Sequence, residues 1–150
     1  MLKVSKSLTW SGLLPFIIAI TVYAFEITIL GISGLSFFLS YSVVIINFLA
    51  GTLWGKADHT KESHDALLII FTNLWALLSW MSLLLHVYYQ MNVSALCICL
   101  GIYIHLLMVE IKSFNHGEEN SILNEYNRLR YQVTSLVVIL HILFVLQLIL

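Results

Sequence analysis

The sequence predicts an all-α integral membrane protein that crosses the bilayer with five helices. Of its 150 residues, 60% are hydrophobic and 10% are charged, whereas soluble domains contain roughly 45–50% apolar and about 25% charged residues. The mean hydropathy is +0.94, and the few charges divide the chain into five apolar stretches. Each stretch approaches the length of about 20 residues that a helix needs to cross a hydrocarbon core of roughly 30 Å.

The first three apolar stretches are separated by a short turn and by one polar loop. The first, residues 8–30, follows two lysines as the core of a secretory signal would. It is longer than the roughly 7–15 residues of such a core and contains no small-residue cleavage site, so we expect a retained helix. The second stretch covers residues 37–54, the polar loop covers residues 55–65, and the third stretch covers residues 67–88.

The last two apolar stretches are separated by a longer polar segment. The fourth helix is predicted over residues 93–111 and the fifth over residues 131–150, with residues 112–130 between them. Within that segment, residues 121–126 fit a short helix on the membrane surface and equally fit an ordinary loop. We therefore treat residues 1–150 as a single five-helix transmembrane domain.

The basic residues predict the orientation of the chain. All seven Lys and Arg residues lie before the first helix, between the second and third, or between the fourth and fifth. The alternate connections contain none, and basic residues concentrate on the cytoplasmic side of membrane proteins. We therefore expect the N-terminus inside and the C-terminus outside. The formal net charge of -1 provides no basic surface for nucleic acid, so no nucleic-acid partner is expected.

Five polar residues within the predicted helices are candidate buried polar, proton-carrying or ligand-binding groups. A charge near a helix centre costs roughly 2.5–3.5 kcal/mol in a bilayer, so such residues need partners. Counting along the helices places two of them, a glutamate and a histidine, at nearly the same depth near the outer face, where they could form a hydrogen bond. Purely structural hydrogen bonding is the alternative interpretation. The five residues are Glu26, Asn47, His86, His105 and His141.

His105 and His141 are predicted near the bilayer midplane, at a depth comparable with that of Asn47. Two imidazoles on adjacent helices could bind a haem iron from both sides. They could also hydrogen-bond to Asn47, to serine hydroxyls or to backbone groups and so hold the helices together. The second interpretation is favoured, so no cofactor is expected and haem is the alternative. No catalytic or metal-binding motif occurs in the sequence.

Three stretches of the chain resemble one family of membrane proteins. Residues 8–16 read LTWSGLLPF, residues 47–55 read NFLAGTLWG, and residues 126–130 read YNRLR. They resemble the small multi-pass proteins grouped with transmembrane protein 69, whose shared domain has no known function. Asn47 and Ala50 depart from the serine and glycine that are commoner in that family. The matching motif residues are Pro15, Tyr41, Gly51, Trp54, Gly55, Tyr126 and Arg130.

The resemblance implies a location in the bacterial inner membrane, or in the mitochondrial inner membrane if the source is eukaryotic. It also draws attention to the inner end of the second helix. There Gly51 and Gly55 form a GxxxG pattern, which indicates close helix packing. We expect Trp54 and Gly55 to pack against the segment from Tyr126 to Arg130, and Arg130 to bind helix-end carbonyls or a lipid phosphate.

These observations favour a non-enzymatic accessory or assembly subunit of a larger membrane complex, such as a respiratory complex. The chain is small, it has no sizeable soluble domain, and few polar groups are predicted inside the bilayer to line a transport path. Its expected partners are lipids and other membrane-protein subunits. The alternative is a small proton-coupled carrier that uses Glu26, His86, His105 and His141 as a relay. A haem- or quinone-binding redox subunit is the third interpretation.

Overall fold

The structure is a computed structural model, and it describes residues 7, 9–56, 63–115 and 121–150. Of these, the side chains of residues 56, 63–65, 110, 112–115 and 121–127 lie outside the description. The described chain is mostly helical, as the sequence predicts, and it contains one short β-hairpin in addition. Its elements are α1 (Leu14–Ala24), β1 (Thr28–Ile29), β2 (Ile32–Ser33), α2 (Gly34–Lys56), α3 (Ser63–Tyr89), α4 (Asn92–Asn115) and α5 (Ser121–Ile149).

Within the described residues, four helices are long and apolar enough to cross a membrane, and a shorter apolar helix covers Thr9–Ala24. The four candidate spans leave many large apolar side chains uncovered; on α3, Leu77 is 63% and Trp80 is 54% exposed. Contiguous apolar surface of this kind needs a lipid or protein covering, because soluble monomers rarely expose it. The chain is therefore a multi-pass helical membrane protein. The four spans are Gly34–Gly55, Ala66–Tyr89, Asn92–Val109 and Arg128–Ile149.

The first helix begins where the sequence places a proline. Pro15 lies in the first turn of α1, where its missing N–H costs nothing because those amides have no partner within the helix. A turn at residues 12–13 precedes it, and the Leu13 amide donates to the carbonyl of Trp10 over 3.1 Å. The proline thus sets the start of α1.

The prediction of one unbroken helix over residues 8–30 is wrong at its C-terminal end. The α1 helix ends at Ala24, and Glu26 follows in the left-handed region with φ 54°. The Ile27 amide donates to the Val22 carbonyl and the Glu26 amide to the Tyr23 carbonyl, both over 3.1 Å. This pair of bonds is the Schellman motif, which satisfies the last carbonyls of a helix and stops it.

A two-residue hairpin connects α1 to α2. The strands pair antiparallel, with Ile29 opposite Ile32, and the two residues between them, Leu30 and Gly31, have φ values of 53° and 77°. Two successive positive φ angles define the type I′ turn that fits the twist of a hairpin. The second strand continues directly into α2 at Gly34, so the hairpin returns the chain beside α1.

The polar segment predicted at residues 112–130 is largely helical. The α4 helix continues to Asn115, and α5 begins at Ser121 and runs without interruption into the last candidate span. Residues 121–126, which fitted a surface helix or a loop equally well, are therefore the first turns of α5. Only residues 116–120 of this segment lie outside the described chain.

The chain divides into two compact units. One contains Met1–Phe38 with Tyr103–Leu150, and the other contains Leu39–Ile102. The core of the first unit includes the fully buried Phe16, Ala19, Phe38, Tyr103 and Phe144, and that of the second includes Leu39, Ile46, Trp75, Leu96 and Cys99. The prediction of a single domain stays a prediction.

Candidate functional site

Glu26 lies at the surface, in the turn that ends α1. The prediction that it is buried within a helix is wrong, because α1 stops two residues earlier and the Glu26 side chain is exposed. Glycine is the usual residue at this left-handed position of a Schellman motif. A side chain there costs roughly 1 kcal/mol or more. The chain therefore keeps a glutamate at a position where a glycine would fit with less strain.

A cavity opens beside this turn, and we name it the Glu26 pocket. It has a volume of about 480 Å³, and all of its lining residues belong to the first unit. They come from the end of α1, the hairpin, the first residue of α2 and the last turn of α5, so one end of each of three helices lies here. The lining residues are Tyr23, Ala24, Glu26, Ile27, Thr28, Ser33, Gly34 and Gln147.

The pocket owes its shape to a close approach of α1 and α2 at Gly34. A Cβ atom placed on Gly34 would lie 2.5 Å from the Ala19 carbonyl oxygen and 2.5 Å from the Tyr23 amide nitrogen. Only glycine lets two helix backbones approach this closely. In the sequence, Gly34 is marked only by its place shortly before the second apolar stretch, which does not distinguish it from the other glycines.

A cluster of aromatic rings surrounds His141 in the same unit. The histidine is 0% exposed, and its ring centroid lies 4.6 Å from that of Phe38, 4.8 Å from that of Tyr103 and 5.7 Å from that of Phe16. Most of these pairs are edge-to-face, the arrangement that the ring quadrupole favours. Sequence analysis identified His141 as an interior residue but missed its aromatic neighbours, because they come from three separate helices.

The aromatic cluster connects His141 to the wall of the Glu26 pocket. Phe144 packs edge-on against Phe38, with ring centroids 4.7 Å apart, and against Tyr23 at 5.0 Å. Tyr23 itself lines the pocket. The cluster therefore packs against the Tyr23 wall of the pocket and fixes the relative positions of α1, α2 and α5 at that end.

The geometry around His141 does not favour a haem bound between His141 and His105. Nδ1 of His141 donates to the Val137 carbonyl over 2.9 Å, since a carbonyl oxygen can only accept. Tyr103 is the α4 residue that packs on His141, and residues two apart on a helix point about 200° apart. His105, which is half-buried, is thus turned away from His141. Among the described residues, no group of three or more His, Cys, Asp or Glu side chains is arranged to hold a metal ion.

Hydrogen bonds in the second unit join neighbouring helices. The Asn47 amide donates to the Val43 carbonyl over 2.8 Å and to Oγ of Ser79 on α3 over 3.1 Å. Oγ of Ser82 lies 3.1 Å from Sγ of Cys99, which links α3 to α4. The bond to Val43 lies within α2, whereas the Asn47–Ser79 and Ser82–Cys99 contacts are the helix-to-helix bonds expected of polar residues in a membrane protein. Asn47 is exposed rather than buried, contrary to the prediction, and it acts at the edge of the α2–α3 contact.

His86 makes its hydrogen bond at the connection between α3 and α4. Its Nδ1 lies 2.7 Å from Oδ1 of Asn92, the first residue of α4. The side chain is buried, being 7% exposed. The connection itself contains Gln90 with φ 55°, so the chain reverses within two residues and the His86–Asn92 bond holds its two sides together. Asn92 is therefore one partner of His86, whereas the sequence suggested Glu26.

The motif residues carried by the family resemblance lie in different environments. Pro15 starts α1, Tyr41 is half-buried on α2, and Arg130 is buried at 7% exposure near the start of the last candidate span. A buried guanidinium requires partners, and Arg130 has at least one polar or ring interaction. The Tyr126 side chain lies outside the described residues, so the predicted packing of this segment stays a prediction.

Gly51 and Gly55, which the sequence assigns to close helix packing, make no such contact within the described chain. Both are exposed, and none of the described atoms would lie within 4 Å of a Cβ atom at either position. Trp54 is 49% exposed beside them. The close-packing glycine of the described chain is Gly34, whereas the GxxxG pair lies open on the surface of α2.

The comparisons with known proteins identify the family of this chain. Residues 1–146 match the family model described as "Protein of unknown function (DUF3429)". No curated protein and no solved structure matches the chain. The family match includes residues of both units, among them α1 with its turn, the α1–α2 contact at Gly34 and the aromatic cluster. Because it covers nearly the whole sequence, the chain belongs to the DUF3429 family.

Proposed function

We propose that this protein is a non-enzymatic accessory or assembly subunit of a larger complex in the inner membrane of bacteria, or of mitochondria if its source is eukaryotic. A respiratory complex is one such assembly, and lipids and other membrane subunits are the partners. The observation that carries this proposal is an uncovered face of α2 that contains a close-packing motif. Three sequence stretches further support a protein of the transmembrane protein 69 type within the family.

The uncovered face, which we name the α2 open face, is continuous along the helix. At 100° per residue, the exposed residues among the described side chains of α2 all fall within about 120° of its circumference. Gly51 and Gly55 lie one turn apart near its centre, and Asn47 lies one turn before Gly51. The face consists of Ser40, Val44, Asn47, Phe48, Gly51, Trp54 and Gly55.

Glycines in this arrangement suit a second helix better than they suit lipid. Gly51 and Gly55 remove side-chain bulk over one turn and a half, so a partner backbone can approach closely and gain van der Waals contact. A lipid tail gains little from that space. Glycine in a helix interior also costs about 1 kcal/mol relative to alanine, and nothing within the described chain offsets this cost. A partner helix would offset it.

The interior of the bundle offers little support for the alternative of a proton-coupled carrier. Several buried hydroxyls bond to carbonyls of their own helix: Thr72 to Ile69 over 2.8 Å and Ser82 to Ser79 over 2.6 Å. His141, one member of the suggested relay, is enclosed by aromatic rings. Hydroxyls bonded within their own helix and a histidine enclosed by rings do not form a hydrated path.

Replacing Gly51 by leucine should detach the protein from its complex. The new side chain would fill the space that a partner helix occupies, while the isolated chain has room for it. We expect the Gly51→Leu protein to fold as the wild type does and to leave the high-mass band on a native gel in mild detergent. Mass spectrometry of the wild-type band names the partner.

Gly101→Leu is the matched control, because Gly101 is also exposed and open to a Cβ atom but lies on α4. It should keep the high-mass band. A wild-type protein that runs alone as a monomer or homo-oligomer would contradict the subunit role. Loss of the band in both variants would contradict the assignment of the α2 open face.

A fifth crossing by the first apolar helix completes the proposed topology, with the N-terminus inside and the C-terminus outside. Phe16 contacts Phe38 at a ring distance of 5.1 Å, and Gly34 touches α1 at Ala19 and Tyr23. The first helix therefore runs antiparallel beside the start of α2, as a crossing helix would. This arrangement also keeps all seven basic residues on one side.

Reporter fusions test this topology directly. A reporter that is active only outside the inner membrane should be active on the C-terminus and inactive on the N-terminus. A fusion within the hairpin, after Gly31, should be active as well, because the hairpin lies at the outer end. Activity of the terminal fusions on the same side would mean four crossings and would contradict the proposal.

A further inference from the structure

Glu26 is an isolated charge at the outer end of the molecule. It is the only charged residue between Lys6 and Lys56, and no charged residue occurs from Ala66 to Val109 or after Arg130. Among the residues that the structure describes, the lining of the Glu26 pocket contains no lysine or arginine. The carboxylate therefore has no countercharge among the residues that share its end of the helices.

Three polar side chains of the pocket are not used by the protein itself, whereas the Ser33 hydroxyl is bonded to Ser36. Within the described residues, the side chains of Glu26, Thr28 and Gln147 make no hydrogen bond or ion pair. All three line the same cavity, whose volume of about 480 Å³ lies within the roughly 300–1,000 Å³ of small-molecule sites. The pocket thus offers a carboxylate, a hydroxyl and an amide oxygen to one ligand.

This set of acceptors fits one class of cation. A primary ammonium group carries a positive charge and three N–H donors, which match the carboxylate of Glu26 and two neutral oxygens. A calcium ion takes six to eight oxygen ligands, usually with several carboxylates, and the pocket has one. A quaternary ammonium has no N–H donor and is recognised by several aromatic faces, whereas Tyr23 is the one aromatic residue of the lining.

We propose that the Glu26 pocket binds a primary ammonium group. Two sources share this chemistry: the ethanolamine head group of a phospholipid, and a free small amine. Apolar residues flank the pocket, with Phe25 72% and Leu30 95% exposed, which suits a site at the membrane surface. The strained backbone at Glu26 holds the carboxylate at the pocket. Residues at binding sites often adopt strained conformations of this kind, at a cost in stability.

Binding to the purified full-length chain in detergent tests this inference. The probes are a short-chain phosphatidylethanolamine and a phosphatidylcholine with the same acyl chains. Isothermal titration calorimetry measures the affinity of the protein for each. We expect phosphatidylethanolamine to bind roughly tenfold more tightly than phosphatidylcholine, the effect of one charge-assisted hydrogen-bonding site. Free ethanolamine then separates the sources: competition assigns the site to small amines, and no competition assigns it to the lipid head group.

Variants of Glu26 identify the group responsible. Glu26→Gln and Glu26→Gly should each weaken binding of phosphatidylethanolamine roughly tenfold, and Glu26→Gly should unfold at the same or a higher temperature because it relieves the left-handed strain. Gln90→Gly is the matched control, since Gln90 has φ 55° at another helix end; it should leave binding unchanged.

Two results would overturn the inference. Equal affinity for the two phospholipids would show that the N–H donors are not recognised. Unchanged affinity of Glu26→Gln for phosphatidylethanolamine would show that the carboxylate does not bind the head group. The subunit role is tested separately by the native gel, because the α2 open face and the Glu26 pocket share no residue. Failure of one proposal therefore leaves the other standing.

Discussion

Replacing Gly34 by alanine should destabilise the protein by about 3 kcal/mol, the upper range for overpacking a tight contact. The added Cβ would lie 2.5 Å from the Ala19 carbonyl oxygen and 2.7 Å from Cβ of Tyr23. Since the nearest atoms belong to helix backbone, no side-chain rotation relieves the clash, and α1 must move away from α2. The free energy of unfolding, measured by titrating SDS into detergent micelles, should fall by this amount.

Gly51→Ala provides the matched control within the same helix. None of the described atoms would lie within 4 Å of its Cβ, and alanine favours a helix interior by up to about 1 kcal/mol over glycine. The two substitutions should therefore change the free energy of unfolding in opposite directions. A Gly34→Ala protein as stable as the wild type would contradict the close approach of α1 and α2 at this position.

Replacing Phe38 by alanine should cost about 3–5 kcal/mol, which is the range for removing a fully buried phenylalanine. Phe38 is 0% exposed, and its ring contacts those of Phe16, His141 and Phe144 at 5.1, 4.6 and 4.7 Å. Because apolar transfer contributes little between helices in lipid, the loss arises from van der Waals contacts across the cavity. The same SDS titration measures it.

Phe48→Ala is the control for this second substitution. Phe48 lies on the same helix but is 63% exposed, so its removal should leave the free energy of unfolding of the isolated chain within about 0.5 kcal/mol of the wild type. A cost at Phe38 no larger than that at Phe48 would contradict the assignment of the aromatic cluster as the core of the first unit.

Phe38→Ala should also deform the Glu26 pocket, since Phe144 connects the cluster to Tyr23.

The helices that the sequence predicts well are those set by composition alone. The second, third and fourth predicted helices, 37–54, 67–88 and 93–111, each fall within an observed helix that is five residues longer in total. An apolar run long enough to cross a bilayer must satisfy every backbone group internally, so it forms a helix whatever its neighbours are. The predicted helices end too early because the polar residues beyond each apolar run continue the backbone hydrogen-bonding pattern of the helix.

The sequence was least informative where a backbone turn overrides an apolar pattern. Residues 25–30 are apolar apart from Glu26 and Thr28, which predicted a continuing helix, yet the chain turns at Glu26 and forms a hairpin. The signal for that turn is weak, because a glutamate and a leucine occupy left-handed positions that glycine or asparagine usually takes. Local residue preferences therefore pointed the wrong way at this site.

By itself the sequence determined that this is a multi-pass helical membrane protein, because hydropathy and helix length are properties of consecutive residues. Tertiary structure decided which glycine joins helices and which lies open, since Gly34 and Gly51 differ only in what lies beside them. It likewise placed Glu26 in a pocket with Thr28 and Gln147. Contacts between residues more than 100 positions apart depend on how the helices pack, and no local pattern encodes that packing.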